Sequence, residues 1–264
     1  MKWVWAVVAF VAIAYLLVCA SLYLSQRSLL YYPTPERQAV TADSIELAVD
    51  GETLKVWRIG NGDEAVLYFG GNAEDVSLNI EQLRWTLPHH TLYLVNYRGY
   101  GGSTGTPSEP TLLGDALLVA DYVLERHASL SVIGRSLGSG VAMHIAAERP
   151  VSSLILVTPF DSIASVAAGI WPWLPIDWLV TERYDSYARA ADVSAQVLVV
   201  AAGRDEVIPR RHTDRLMTAL PLGTQRLNID QANHNDLSHY PDYWIAIGTF
   251  IDQGQLHEPD STVP

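Results

Sequence analysis

The sequence predicts an α/β domain with a mostly parallel sheet and helices on both faces, behind an apolar N-terminal segment. Two observations support this class. Short apolar runs alternate along the chain with helical patterns, as the strands and helices of a parallel sheet do. The chain is also long enough for one large core, because it has 264 residues, of which 49% are hydrophobic and 17% charged.

The N-terminal segment, residues 1–27, is predicted to be a transmembrane anchor. Its uncharged run Trp3–Leu24 has 22 residues and, at about 1.5 Å per helical residue, covers a hydrocarbon core of about 30 Å. Aromatic rings that favour the headgroup region stand near both ends: Trp3, Trp5, Tyr23, Tyr31 and Tyr32. A cleaved signal peptide with Val18-Cys19-Ala20 as its cleavage site is the alternative. We favour a single-pass membrane protein whose remaining domain, residues 28–264, is exported.

The domain opens with a predicted antiparallel hairpin. Apolar-rich runs at Ser44–Val49 and Thr53–Ile59 flank Asp50-Gly51-Glu52, a sequence typical of a tight reversal. Short apolar runs then predict buried strands at Ala65–Phe69, Thr91–Tyr97, Leu130–Ile133, Leu154–Val157 and Val197–Ala201, with a weaker last strand at Gln225–Ile229.

Helical patterns separate most of these strands. Apolar residues recur at spacings of three and four in four segments: Asp75–Leu87, Leu112–Arg126, Leu137–Glu148 and the closing Tyr243–Ile251. The polar tail Gln253–Pro264 is expected to fray.

An insertion at about residues 161–191 interrupts the alternation of strands and helices. Its segment Trp171–Leu179 contains two prolines, which prevent one uninterrupted helix. We interpret the insertion as a helical cap, with a helix pair packed on the sheet as the alternative. Its large apolar side chains are candidates to bind an acyl chain, namely Trp171, Trp173, Leu174 and Trp178.

A candidate nucleophile stands between a predicted strand and a predicted helix, in Gly134-Arg135-Ser136-Leu137-Gly138. In a strand–turn–helix elbow, the flanking glycines allow a steep turn that raises the serine hydroxyl above the sheet. The sequence therefore predicts Ser136 as a nucleophile. A serine that only caps the helix is the alternative.

A serine nucleophile needs a base, and the base needs an orienting acid. In this type of fold the acid follows a late strand and the histidine follows the last one. Asp205 stands four residues after Val197–Ala201, and His234 is the first histidine after the last strand. We therefore predict Asp205 as the acid and His234 as the base. Alternatives are that Asp205 only caps the helix after Pro209, or that the acid is Asp161, at another strand end, or the adjacent Glu206. His234 could instead be an ordinary loop histidine, and His239 is the other histidine after the last strand.

Backbone donors for the oxyanion are predicted on two segments. The N–H of Leu137, directly after the nucleophile, is the first. Gly70-Gly71-Asn72 follows the early strand Ala65–Phe69, and we expect Asn72 to supply the second. A plain strand-to-helix turn capped by Asn72 is the alternative, and both can hold together.

The composition excludes several partners. Lys and Arg number 17 against 29 Asp and Glu, and the resulting charge of −12 repels nucleic-acid phosphates. The single cysteine, Cys19, forbids an internal disulfide and a multi-cysteine metal cluster. No H-E-x-x-H spacing or other metal pattern occurs, and the predicted chemistry needs no cofactor. No oligomeric state follows from the sequence.

These segments together resemble the membrane-anchored, ABHD-type branch of the alpha/beta-hydrolase superfamily. The resemblance is spread over most of the chain, in Leu29–Pro33, Gly70–Ala73, Asn96–Gly101, Gly134–Gly138, Pro172–Pro175, Gly203–Asp205 and His234–Asp236. It implies the alpha/beta-hydrolase fold and serine-hydrolase chemistry on diverse acylated substrates. Two departures occur: Gly70-Gly71 stands where the family usually has His-Gly, and Ala232-Asn233 where it often has Gly-Gly.

The sequence thus predicts a membrane-tethered serine hydrolase. It would cleave an acyl ester of a small or lipid-like substrate through Ser136, His234 and Asp205, by way of an acyl-enzyme. A peptidase or thioesterase with the same three residues is one alternative. A catalytically silent scaffold of the same fold is another.

Overall fold

Eight strands form one sheet in the computed structural model, which describes residues 1–37 and 42–253. In chain order the strands are β1 (Asp43–Val49), β2 (Glu52–Ile59), β3 (Glu64–Phe69), β4 (Thr91–Val95), β5 (Ser129–Arg135), β6 (Ser153–Val157), β7 (Gln196–Ala202) and β8 (Gln225–Ile229). Across the sheet their order is β1-β2-β4-β3-β5-β6-β7-β8. β2 runs antiparallel to β1 and β4, and all later neighbours are parallel, which confirms the predicted mostly parallel sheet.

The first two strands form the predicted hairpin. Val49 pairs with Glu52, so the loop consists of Asp50 and Gly51 alone. Both loop residues have positive φ, 48° and 81°, as a two-residue type I′ turn requires. This sequence suits the turn because glycine has no Cβ and aspartate tolerates the left-handed region.

Helices cover both faces of the sheet, and others form the N-terminal segment and the cap. In chain order the helices are α1 (Lys2–Leu30), α2 (Ile80–Thr86), α3 (Glu109–Leu124), α4 (Leu137–Glu148), α5 (Ile163–Ile170), α6 (Ile176–Leu179), α7 (Ser186–Arg189), α8 (Arg210–Met217) and α9 (Pro241–Gln253). Short 3₁₀ turns lie at Val76–Asn79, Ala190–Asp192 and Leu237–His239. The cap is the segment between β6 and β7 that carries α5, α6 and α7. Gln253 ends α9, and residues 254–264 of the predicted tail lie outside the described residues.

Capping side chains shift the start of two predicted helices. α3 begins three residues earlier than predicted, because Ser108 and Thr111 form a reciprocal capping box. The predicted helix Asp75–Leu87 is divided into a 3₁₀ turn and α2. The side chain of Asp75 accepts a hydrogen bond from the N–H of Ser77 and so begins the tighter turn.

Both faces of the central strands are buried. Successive side chains point to opposite faces, so that Leu67 and Val132 pack on the side of α3 and α4. Val66 and Ile133 pack on the side of α2 and α9. Because neither face meets water, these strands have the continuous apolar sequences from which they were predicted.

α1 is long and apolar enough to cross a membrane. Its buried residues are Cys19 and Gln26, both in the C-terminal half. Cys19 packs in one cluster with Leu174 of the cap, and the Tyr15 hydroxyl donates to the carbonyl oxygen of Trp173 at 3.1 Å. The C-terminal half of α1 therefore packs against the cap, while its N-terminal half is exposed.

A buried ion pair connects the loop after β4 to α3. Arg98 donates from Nε and Nη2 to the two carboxylate oxygens of Asp115, each over 2.7 Å. The side chains are only 8% and 6% exposed. The hydrogen bond to Asp115 raises the pKa of Arg98, so the guanidinium stays charged inside the protein.

We expect Asp115→Ala to lower the free energy of unfolding by about 3–5 kcal/mol, because it leaves a buried guanidinium without its main partner. Glu125→Ala is the control: it removes an exposed pair with Arg126 near the end of the same helix and should cost less than about 1 kcal/mol. Urea unfolding of the detergent-solubilised protein measures both. Equal, small losses would contradict the importance of the buried pair.

Candidate active site

Ser136 occupies a strained turn between β5 and α4. Its φ of 50° and ψ of −115° lie in a region that residues with a Cβ rarely adopt. The turn is also too crowded for larger neighbours. A Cβ on Gly134 would collide with the carbonyl oxygen of Gly138, and a Cβ on Gly138 would collide with that of Phe69. The local sequence thus forms a steep elbow with the serine at its apex.

The structure brings three predicted side chains into one hydrogen-bonded row. The Nε2 atom of His234 lies 2.9 Å from the hydroxyl oxygen of Ser136. Its Nδ1 atom lies 2.7 Å from Oδ2 of Asp205. The side chains of His234 and Asp205 are 7% and 6% exposed, so this second contact is shielded from water. This order is the one that general-base activation of a serine requires.

Asp205 uses both carboxylate oxygens. While Oδ2 contacts His234, Oδ1 accepts the backbone N–H groups of Val207 and Ile208 over 2.9 and 2.7 Å. These bonds fix the carboxylate in the loop after β7. Asp205 does not cap α8, because the N-cap position belongs to Pro209.

The rival side chains lie in other environments. Asp161 is bonded to Nδ1 of His212 at 2.8 Å and to Arg215 at 3.1 Å. The side chains of Glu206 and His239 belong to exposed residues. Among the five candidates for acid and base, Asp205 and His234 are the pair that meets Ser136.

The two predicted oxyanion segments flank the serine. Leu137 is the first residue of α4, so its N–H has no acceptor within the helix. A Cβ built on Gly71 would lie 3.4 Å from Cβ of Ser136, which puts the loop after β3 beside this serine. The side-chain oxygen of Asn72 already accepts hydrogen bonds from the Tyr32 N–H and the Tyr100 hydroxyl, each over 2.9 Å. These two bonds fix the side chain of Asn72, and its backbone N–H stays the predicted donor to an oxyanion.

Sequence similarity to known proteins extends over most of the chain. This chain is 34% identical over 249 residues to the uncharacterized protein Rv2307c of Mycobacterium tuberculosis, and the match covers 87% of this chain and 88% of Rv2307c. The chain is 26% identical to protein bem46 of Schizosaccharomyces pombe, over 93% of this chain and 92% of bem46. It is 28% identical to the alpha/beta hydrolase domain-containing protein WAV2 of Arabidopsis thaliana, over 70% of this chain and 69% of WAV2. The chain belongs to the alpha/beta-hydrolase family. No protein-family model matches it.

Solved structures support the same fold for this alpha/beta-hydrolase chain. The Pyrococcus furiosus esterase Pf2001 superposes with a TM-score of 0.65 at 16% identity, over 84% of this chain and 99% of the esterase. The mouse alpha/beta hydrolase domain-containing protein 10 superposes with a TM-score of 0.63 at 15% identity, over 80% and 97%.

The histidine loop of this family member departs from a double glycine and uses a different turn. The backbone and side-chain nitrogens of Asn233 donate to the two carboxylate oxygens of Asp236 over 2.7 and 2.8 Å. The side-chain bond from Asn233 lowers the pKa of Asp236. The carbonyl of Ala232 accepts from the N–H of Arg204 at 2.9 Å, which joins the His234 loop to the Asp205 loop.

Sequence reasoning missed an ion pair that connects the loops around Ser136. Arg135 donates from Nη1 to Oε2 of Glu74 at 2.6 Å, and the same oxygen accepts the N–H of Gly71 at 2.7 Å. The Nη2 atom of Arg135 donates to the carbonyl oxygen of His234 at 3.2 Å and to Oδ1 of Asn235 at 2.9 Å. Burial alone would lower the pKa of Arg135, but the charge and hydrogen bond of Glu74, together with the electrostatic effects of Tyr68 and Tyr243, raise it. The available signal was weak: a charged residue next to the serine, and an acid soon after Asn72.

The cap residues expected to bind an acyl chain take different positions. Trp171 lines a cavity of about 290 Å³ between α1 and α5. Leu174 is buried between the cap and α1, whereas Trp173 and Trp178 are 57% and 89% exposed. Of these four residues, Trp171 is the one that lines the cavity. Within residues 1–37 and 42–253, no three His, Cys, Asp or Glu side chains group to hold a metal ion.

We expect Arg135→Met to lower kcat for a short ester by about 10²-fold with a smaller change in KM, because the Gly71 and His234 loops lose their common partner and the reacting groups shift. Steady-state kinetics with p-nitrophenyl acetate measure the split. Glu74→Gln should have a smaller effect, since an amide oxygen still accepts the N–H of Gly71.

Arg126→Met serves as the matched control, because it removes an exposed arginine at the end of α3. Its kcat should equal that of the native protein. An Arg135→Met variant with native kcat would show that the ion pair has no positioning role.

Proposed function

We propose that this protein is a membrane-tethered serine hydrolase that cleaves carboxylic esters of lipid-like acylated substrates. The observation that carries the proposal is the buried row of hydrogen bonds from Ser136 through His234 to Asp205. A serine that only capped α4 would need neither contact, and α4 has no side-chain cap from Ser136.

In the acylation step, Oγ of Ser136 attacks the ester carbonyl carbon while Nε2 of His234 takes the hydroxyl proton. Asp205 holds Nδ1–H of His234 and stabilises the imidazolium that forms. The N–H groups of Leu137 and Asn72 donate to the oxyanion. The intermediate then breaks its carbon–oxygen bond to the alcohol, which leaves with the proton from His234.

Deacylation uses the same groups in reverse. His234 takes a proton from water, whose oxygen attacks the acyl carbon of the Ser136 ester. The carbon–Oγ bond breaks, and Oγ of Ser136 recovers the proton from His234. The products are a carboxylic acid and an alcohol, and no electrons are exchanged.

The tether is the retained helix α1. Cleavage after Ala20 would remove Tyr15 and Cys19, the residues through which α1 contacts Trp173 and Leu174 of the cap. The N-terminal half of α1 offers exposed apolar side chains that a hydrocarbon core would cover. These features favour an anchor over a removed signal peptide. We place the hydrolase domain on the exported side, as expected for a signal-anchor at the N-terminus.

Activity-based labelling tests the chemistry. A fluorophosphonate probe should label the native protein, and Ser136→Ala should abolish the labelling because the probe captures an activated serine. Asp205→Asn should lower kcat by about 10⁴-fold, since the amide favours the wrong histidine tautomer. Ser152→Ala, at an exposed serine next to β6, is the control and should label normally. Persistent labelling of Ser136→Ala, or none of the folded native protein, would refute the proposal.

Membrane fractions test the tether. Mass spectrometry should find Trp3 and Trp5 in the mature protein, and sodium carbonate should leave the protein in the pellet, because about 20 apolar residues hold it in the bilayer. A mature N-terminus at Ser21 would contradict the retained anchor.

Protease added to right-side-out vesicles should digest the hydrolase domain, because we place this domain on the exported side. Protection of the domain from the protease would overturn its proposed side.

A further inference from the structure

We propose that the cavity between α1 and the cap binds the acyl chain of a membrane lipid, so that the membrane helix itself forms part of the substrate site. This inference rests on the proposed ester hydrolysis and names the class of substrate. The cavity has a volume of about 290 Å³, and its walls come from α1, from α5 and from the segment just after Asp205. Ligand pockets usually span roughly 300–1,000 Å³, so this one suits a single chain.

Most of the side chains that line the cavity are hydrocarbon. Leu22 and Leu29 contribute from α1, and Ile163, Val166 and Ala167 from the cap. Such a surface offers a methylene chain contact without hydrogen-bonding groups that would be left unpaired.

The two polar residues on the wall are engaged with protein partners. The side-chain oxygen of Gln26 accepts the N–H of Thr181 at 2.7 Å, and its nitrogen donates to Leu179. Glu182 accepts from the hydroxyl of Tyr31 at 2.5 Å and pairs with Arg27 at 2.8 Å. Neither side chain has to be desolvated anew when a hydrocarbon chain enters.

One wall of the cavity belongs to the loop that holds the proposed catalytic acid. Val207 and Ile208 line the cavity, and their backbone N–H groups bind Asp205. A second link runs through Glu182, whose partner Tyr31 precedes Tyr32, and the Tyr32 N–H binds Asn72. An acyl chain in this cavity therefore lies against the loop that holds the acid, and against Glu182, which is connected through Tyr31 and Tyr32 to the Asn72 loop.

The depth of the cap along α1 indicates that the acyl chain comes from the membrane leaflet. If Trp3 marks one end of the hydrocarbon core, about 20 residues bring its other end near Leu22, which lines the cavity. Tyr15, which bonds to Trp173, lies seven residues earlier, or about 10 Å deeper in the bilayer. The tip of the cap thus dips into the leaflet.

The exposed side chains at that tip fit this depth. Ile170, Trp173 and Trp178 are more than half exposed in the protein alone. Insertion of the tip into the leaflet covers all three apolar side chains and removes them from water. The cavity then opens beside the leaflet, and a lipid chain enters it sideways without crossing water.

Two neighbouring alanines of α5 provide a matched test. Ala167 lines the cavity, whereas Ala168 faces another part of the cap surface. Hydrolysis of p-nitrophenyl acetate and p-nitrophenyl dodecanoate is measured in phosphatidylcholine nanodiscs for the native protein, Ala167→Phe and Ala168→Phe. Each methylene buried is worth about a factor of four, so a phenyl ring that displaces about three of them should lower kcat/KM for dodecanoate about 50-fold. Acetate turnover should change less than about twofold, since acetate has no chain to displace.

The controls separate this inference from the proposed function. Acetate turnover and fluorophosphonate labelling of all three proteins show that the active site is folded and hydrolytic; their absence from the native protein would refute the hydrolase itself. If both are present but Ala167→Phe and Ala168→Phe behave alike on dodecanoate, the cavity does not bind the chain and the hydrolase proposal stands.

A crosslinking experiment tests the leaflet as the source. Ser136→Ala protein is placed in nanodiscs that contain a phosphatidylcholine with a diazirine near the end of one acyl chain, and is irradiated. Crosslinks should form on Ile163 and Val166 inside the cavity and should disappear when Ala167→Phe is added, but persist with Ala168→Phe. Crosslinks confined to the outer face of α1 would overturn lateral entry.

Discussion

The strained turn at Ser136 is the constraint on which the rest of the site depends. Its positive φ directs the hydroxyl away from the sheet, at the first turn of α4. The strain persists because the surroundings allow no relaxation. The Ser136 N–H is bound to the carbonyl oxygen of Val157 at 2.9 Å, and the backbone of Gly138 lies against that of Phe69. The parallel strands on either side of β5, β3 and β6, thus hold the elbow in place. Their packing fixes the position of the Ser136 hydroxyl oxygen.

The other proposed catalytic groups come from loops that are far apart in the sequence, and polar contacts fix these loops to the elbow. The Glu74 carboxylate is the centre of these contacts. Besides Arg135 and Gly71, it accepts from the hydroxyl of Tyr68 at 2.6 Å and from the side chain of Asn79 at 2.7 Å. With its acceptor sites filled, the ion pair has little freedom to shift. Arg135, next to Ser136, connects this rigid group to the backbone of the His234 loop.

The sequence was informative wherever one physical pattern decides one feature. Apolar runs buried on both faces predicted the strands, and the chain order of serine, acid and histidine predicted residues that lie in hydrogen-bonding contact. It was less informative where a contact depends on distance in space. Nothing in the letters pairs Arg135 with Glu74, 61 positions away. Nor does the periodicity of a short, proline-interrupted cap decide that Trp171 faces inward and Trp178 outward.

The two residues directly after α1, Tyr31 and Tyr32, connect the helix to the rest of the domain. Tyr31 is buried, and its hydroxyl contacts both Glu182 and Tyr184. Burial raises the pKa of Tyr31 far above its ordinary value, so the phenol keeps its proton and donates to the Glu182 carboxylate. The N–H of the next residue, Tyr32, donates to the side chain of Asn72, in the loop proposed to bind the oxyanion. Two consecutive residues therefore fix the helix to the cap on one side and to the proposed active site on the other. A helix that served only as a tether would require neither contact, because a flexible polar linker between helix and domain would be enough to connect them.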